Sequence, residues 1–246
     1  MANFMDEICL ELPYDARGVF VERPNRFVGV VDITEPQKYS AARELVHIHD
    51  PGRLSEILFP ENTVFLKREN QSHRRTKWDL LAGLAGEDIV FVNSRYHREI
   101  ATELIYSGKI SGRVKKIIPE YKFGTSRIDF LLEKPSGEKI FVETKGCTLC
   151  ENEVALFPDA PTSRGKRHIE ELKNAVEQGF SAVVLFLVFR RDARCFLPNW
   201  KTDPNFSSAL MDAVKSGVRT VQALVSYDGE KIKYLGQIPM CEKMYI

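Results

Sequence analysis

The sequence predicts an α/β chain, α+β overall, in two domains: a small closed β-barrel over residues 1–85 and an α/β sandwich with a mixed sheet over residues 86–246. Two observations carry this. Short β-prone runs broken by turn residues fill Ile8 to about Lys67, and strands at that spacing suggest a barrel. Farther along, stretches of helical and of strand period alternate, the pattern of a sheet covered by helices.

Length allows it, since 246 residues can build two modest cores. Hydrophobic residues at 43% and charged residues at 28% match an ordinary globular chain and argue against disorder or a fibrous repeat. The longest apolar run, Ala182 to Phe189, has the length of a buried strand, far short of the roughly 20 residues that span a bilayer. The opening MANFMDEICLELPYD is acidic where a leader would be basic, so a cytoplasmic location is expected. Cys147 and Cys150 form a lone Cys-x-x-Cys with no second pair to complete a zinc site, so the cysteines are expected as ordinary buried thiols. A net charge of +1 gives no global signature of a polyanion binder, and any such surface must be local.

In the first domain GVFVE, RFVGVVDI, ELVHIH and TVFLKRE read as strands, and Arg53 to Leu58 as one helical turn after Asp50-Pro-Gly. In the second, Asp88–Asn93 reads as a strand. Arg95–Ser107 reads as a helix, with Ile100, Leu104 and Ile105 on one stripe and Gly108 as its stop. Arg164–Gln178 repeats that grammar with Ile169, Leu172, Val176 and Gly179. Ser181–Phe189 is continuously apolar, as expected of a strand covered on both faces. Phe206–Ser216 reads as a helix, and Val218–Ser226 with Lys231–Leu235 as strands about an Asp228-Gly229 turn.

Between them lies RIDFLLEKPSGEKIFVETKG, Arg127 to Gly146, two apolar strands that carry charges. A three-residue loop Pro135-Ser136-Gly137 sets Lys134 opposite Glu138 and hence Asp129 opposite Glu143. Lys145 shares the face of Glu143, because residues two apart in a strand point the same way. Opposed acids repel unless something positive sits between them. A divalent metal with carboxylate and water ligands is one solution, a structural salt-bridge network the other.

The Asp129 … Glu143-Thr144-Lys145 arrangement resembles the core of the PD-(D/E)xK nucleases. More specific words surround it: Arg23-Pro-Asn-Arg-Phe27, His49-Asp-Pro-Gly-Arg-Leu54, Glu120-Tyr-Lys-Phe-Gly124, Ser126-Arg-Ile-Asp-Phe130, Phe157-Pro-Asp-Ala160 and Arg164-Gly-Lys-Arg-His168. Together they resemble the sugar fermentation stimulation protein A family from about residue 10 to the C-terminus. The resemblance implies an N-terminal OB-fold barrel, a PD-(D/E)xK nuclease-like domain, and DNA as partner. On that footing Asp129, Glu143 and Lys145 are the expected catalytic residues of a candidate Mg²⁺- or Mn²⁺-dependent deoxyribonuclease. Asp129 and Glu143 would hold the metal, with Glu120 as a third ligand or a surface charge.

Candidate nucleic-acid contacts are Arg23, Arg26, Arg53, Arg74, Arg75, Lys77, Arg127, Arg164 and Lys166. Phe27 and Trp78, set among cations with His73, are core residues or stacking platforms. His168, near a helix start, is a general base or a solvated cap. A silent DNA-binding regulator on a nuclease scaffold, and an enzyme acting on RNA or phosphorylated metabolites, are the rival readings.

Overall fold

A computed structural model describes residues 7–70 and 74–242. The chain divides into one unit of Met1–Tyr96, Phe189–Arg191 and Val225–Leu235, and a second of His97–Val188, Asp192–Leu224 and Gly236–Ile246. None of the described helices is long and apolar enough to cross a membrane.

In the first unit β1 (Glu7–Glu11) pairs antiparallel with β16 (Lys231–Ile238). The barrel is built from β2 (Ala16–Asn25), β3 (Val28–Glu35), β4 (Ala41–His47), β5 (Thr63–Arg68) and β6 (Trp78–Ala85), with β7 (Asp88–Phe91) added at the edge. Antiparallel pairing runs β4-β3-β2-β5-β6, and a parallel contact of Val46 with Trp78 and His47 with Asp79 closes the ring. Closure removes the open edges that a flat sheet would expose.

Strand β6 is absent from the sequence reading because WDLLAGLA is apolar on successive residues and lacks the strand alternation. Its first six residues are all buried. Gly83 within it is required by packing: a Cβ there would fall 2.6 Å from Ile57 Cγ2. Ile57 belongs to the turn closed by its own N–H on the Leu54 carbonyl, 3.0 Å. Strand β7 pairs with β6 (Ala85 with Asp88, Ala82 with Phe91) and extends this sheet past residue 85.

The second unit contains α1 (His97–Tyr106), β8 (Lys116–Phe123), β9 (Ser126–Glu133), β10 (Lys139–Cys147), β11 (Leu149–Glu151), β12 (Val154–Phe157), α2 (Ser163–Glu177), β13 (Ser181–Val188), β14 (Cys195–Pro198) and α3 (Pro204–Lys215). Strand β15 (Arg219–Tyr227), like β16, contributes residues to both units. The order β15-β13-β10-β9-β8 is parallel across its first two pairings and antiparallel across the rest, the expected mixed sheet. Residues Ala182–Val188 of β13 are all buried.

Helix α2 packs Ile169, Leu172 and Ala175 into the core, each with no exposed surface, worth roughly 2 kcal/mol per fully buried large aliphatic side chain. Its cap Thr162 accepts from the Gly165 N–H at 3.0 Å. The Asp203 carboxylate caps α3 at the Phe206 N–H, 2.9 Å, and takes the Thr162 N–H at 2.8 Å, tying the two helix starts together.

The β9–β10 hairpin has the register that its loop demands. Gly137 takes φ +87°, Gly137 N–H donates to the Lys134 carbonyl at 3.0 Å, and Lys134 N–H to that of Glu138 at 2.9 Å. The pairs run from Lys139–Glu133 to Val142–Phe130. One step farther the same register sets Glu143 against Asp129.

Three features are absent from the sequence reading. Strand β8 is mostly exposed and interrupted by Pro119, so it shows no alternation. The small sheet β11-β12-β14 consists of strands of three or four residues. A disulfide joins Cys195 to Cys241, 5.1 Å apart at Cα, correcting the expectation of thiols throughout, while Cys147 is buried and Cys150 half-buried.

The bridge closes a span of 46 residues, which in the chain-entropy treatment constrains the unfolded state by about 4 kcal/mol at most. Replacing Cys241 with serine is expected to lower the thermal midpoint by several degrees under oxidising conditions. In excess reductant wild type and variant should unfold together by scanning calorimetry.

Candidate functional site

Where the β9–β10 ladder ends, side chains take over the backbone donors. Thr144 N–H donates to Asp129 Oδ2 at 2.8 Å, and Asp129 N–H lies 3.4 Å from Glu143 Oε2. The two acids thus reach across the same opening from opposite strands. Glu143 is only 2% exposed.

Two groups hold it on Oε1: the Lys145 ammonium, Nζ at 2.6 Å, from the same strand face, and the Nδ1 of His168, from α2. Burial opposes the Glu143 charge, but Lys145 and the His168 hydrogen bond outweigh it and hold the carboxyl below its ordinary range. Asp129 is pushed the other way, first by burial and then by the charge of Glu143. The structure therefore brings Asp129, Glu143 and Lys145 together and adds His168, which is buried rather than solvated.

The strand is gripped from both faces. His168 of α2 meets Glu143, and three residues on, hence on the opposite face, Gly146 lies directly against the ring of His97 at the start of α1. Burial lowers the His97 pKa to about 4, so this ring stays neutral at ordinary pH. Helix α2 also holds the β8–β9 turn: Glu171 Oε1 accepts from Thr125 N–H at 2.9 Å and from its hydroxyl at 2.8 Å.

Glu120 lies across from Asp129 in the β8–β9 register, but its carboxylate is engaged elsewhere. Its φ of +52° interrupts the β8–β9 ladder between Pro119–Phe130 and Tyr121–Ile128. Its carboxylate pairs with Arg98 Nη2 at 2.5 Å and Arg127 Nη1 at 3.4 Å, all three being exposed. The expected third ligand is thus turned toward two arginines.

Among the described residues no three of His, Cys, Asp and Glu are grouped to hold a metal. Two carboxylates suffice for a hard cation such as Mg²⁺, which keeps waters and takes substrate oxygens for the rest. Among the described residues Asp129 Oδ1 accepts no hydrogen bond, and Glu143 Oε2 has only the long contact to Asp129 N–H. The donor set fits such a cation, held by those two oxygens.

The remaining cations separate by what already holds them. Arg164 is exposed on the first turn of α2, with its Nε–H 3.4 Å from His168 Nε2. Lys166 pairs along the helix with Glu170 at 3.6 Å. In the barrel, Arg26, Arg53, Arg75 and Lys77 are exposed.

Arg23 is a strut instead. Its guanidinium donates to the carbonyls of Gly52, Arg53 and Arg26 at 2.7 Å each and of Asp50 at 3.0 Å, which fixes the loop that presents Arg53. Arg74 is likewise consumed, by Asp79 and by Glu69 at 3.3 Å. Trp78 is core at 5% exposure whereas Phe27 is 45% exposed, so of the two aromatics only Phe27 is open to a ligand. His73 lies outside the described residues.

Asp79 is the centre of a second network that the sequence did not disclose. It is 1% exposed and bound by Arg74, by His49 Nε2 at 2.9 Å and by Arg95 at 3.4 Å. Burial opposes its charge, but the hydrogen bonds from His49 and Arg74 win and lower its pKa to about 2.

A barrel of OB topology followed by a helix-covered mixed sheet with opposed acids defines a two-domain chain of the OB-plus-nuclease-like class. The family model described as "SfsA N-terminal OB domain" matches residues 21–92, and "Sugar fermentation stimulation protein RE domain" matches residues 95–231. The chain belongs to the sugar fermentation stimulation protein family.

It is 42% identical over 98% of its length to a sugar fermentation stimulation protein homolog of Methanococcoides burtonii, covering 98% of that protein. It is 45% identical over 96% to the homolog of Thermotoga neapolitana, covering 99% of it. Among solved structures, Pyrococcus furiosus SfsA in complex with Ca²⁺ matches at TM-score 0.84 and 29% identity, with 95% of this chain and 99% of that one covered.

Two outcomes follow from the charges. Asp129→Asn removes a repelled, buried acid yet keeps an acceptor for Thr144 N–H. It should raise the thermal midpoint in EDTA at pH 7 by a few degrees. Asp79 has a depressed folded pKa, so its contribution is complete above the ordinary carboxylate range of about 4 and is lost as pH falls from there to about 2. Asp79→Asn should therefore cost about 3 kcal/mol at pH 7, and the gap to wild type should close by pH 2 in denaturant titrations.

Proposed function

We propose that the protein is a divalent-metal-dependent phosphodiesterase acting on DNA, with Asp129 and Glu143 as metal ligands and Lys145 beside the reacting phosphate. The observation that carries this reading is the buried Asp129–Glu143 pair, two acids placed across one strand opening with Lys145 at 2.6 Å from the second. A repelled carboxyl at Asp129 is a poor choice for stability and a good one for holding a cation. The Ca²⁺ complex of the P. furiosus relative supports a site for a divalent ion.

When bound, such an ion would lower the pKa of a coordinated water and polarise the phosphoryl oxygen. The chain does the rest. Asp129 is oriented by Thr144 N–H, and Glu143 by Lys145 and His168. Lys145 Nζ supplies positive charge where the phosphorane gains negative charge. Arg164 and Arg127 are placed on exposed surface of the same unit to hold the backbone, and Arg26, Arg53, Arg75 and Lys77 of the barrel offer phosphate contacts without base readout.

One observation favours the silent regulator instead. Lys145 already neutralises Glu143 and His168 hydrogen-bonds to it, so this carboxylate is compensated without a metal.

Cleavage of labelled single- and double-stranded DNA in Mg²⁺, Mn²⁺ or EDTA decides between them. Metal-dependent cutting is expected, falling about 10²- to 10³-fold in Lys145→Ala and to background in Glu143→Ala. Salt-sensitive binding without cutting in either metal would overturn the nuclease reading in favour of the regulator.

A further inference from the structure

His168 belongs to neither of the strands that carry the acids, and the reading above does not require it, yet it is the most completely enclosed histidine around the site, at 4% exposure. Its ring is bound at both nitrogens. Nδ1 meets Glu143 Oε1, and Nε2 lies 3.4 Å from Arg164 Nε, one helical turn earlier.

Guanidinium nitrogens only donate and an ionised carboxylate only accepts. The two partners therefore dictate a single arrangement, with the proton on Nδ1 pointing at Glu143 and the lone pair on Nε2 facing Arg164. The other tautomer would set donor against donor at Arg164 and acceptor against acceptor at Glu143.

Resting on the nuclease-site reading, we propose that His168 is the positioning residue of this centre: it fixes the rotamer of Glu143 through Nδ1–H, so that α2, and not the sheet alone, sets where the ligand oxygen points. Glu143 is held on Oε1 by Lys145 and His168, and Oε2 is left toward Asp129. Lys145 is a flexible side chain on the same strand and moves with it. The imidazole is rigid and enters from a helix whose position is independently secured, by the Thr162 cap with Asp203 at its start and by Glu171 on the Gly124-Thr125 turn one residue beyond His168 plus two.

This gives α2 two grips on the sheet, three residues apart on one helix face: His168 on the acid of β10 and Glu171 on the turn that leads into β9. A hydrogen-bonding neighbour of this kind changes metal affinity about 10- to 100-fold when removed.

The test uses full-length protein and Mn²⁺, with affinity read by calorimetry and folding read by denaturant titration. His168→Ala should weaken Mn²⁺ binding 10-fold or more, and His168→Asn, whose amide places an N–H near Nδ1, should recover most of it. His168→Gln, which reaches the Nε2 position instead, should not. Equal affinity in wild type and His168→Ala would overturn the proposal and leave the metal-site reading standing.

A double-mutant cycle of His168→Ala and Glu143→Ala, read from the unfolding equilibrium in EDTA, decides the contact without metal or activity. Coupling of about 10-fold is expected, and additive changes would overturn the proposal. Failure of the wild type to bind Mn²⁺ alongside strong coupling would sink the nuclease reading while leaving Glu143 positioned by His168.

Discussion

Asp129 and Glu143 face each other at the point where the β9–β10 ladder stops, and much of the second unit answers to the cost of keeping them there. A buried carboxylate without partners costs several kcal/mol, and two that repel cost more. The hairpin loop sets them in register, Thr144 N–H satisfies one, and Lys145 neutralises the other with a hydrogen bond from His168 beside it. Compensation is unequal: Glu143 is held ionised while Asp129 is pushed toward its neutral form.

The cations of the barrel show why a charge run is poor evidence of a surface. Arg23 and Arg26 lie in one short stretch and look alike in sequence, yet one is spent on four carbonyls and the other is exposed. Arg74 and Arg75 are adjacent and divide the same way, because Arg74 faces the buried Asp79 and Arg75 does not. The strut at Arg23 nonetheless fixes the loop on which Arg53 is displayed.

Local grammar explains what could be read in advance. The hairpin register was legible because a glycine-bearing loop and period-two alternation fix it jointly, and α1, α2 and α3 were legible from apolar stripes ending at glycine or serine. Strand β6 was not, because a strand buried along most of its length loses alternation, and neither was β8, an exposed strand with no apolar face. In the site, Asp129, Glu143 and Lys145 follow from pairing and parity. The part played by His168 depends on how α2 docks on the sheet, and the Glu120–Arg98 pair on a φ of +52°, neither of which spacing encodes.

The bare backbone at Gly146 has a consequence of its own. With no side chain in the way, the ring of His97 lies against β10 immediately after Lys145, so the strand is clasped between an imidazole on each side, one residue past the acid-bearing stretch and one upon it. Even a methyl group at 146 would overlap that ring at His97 Cε1, so that ring or strand would have to shift. The smallest residue in the chain is thus what lets helix and strand meet without a gap at this point.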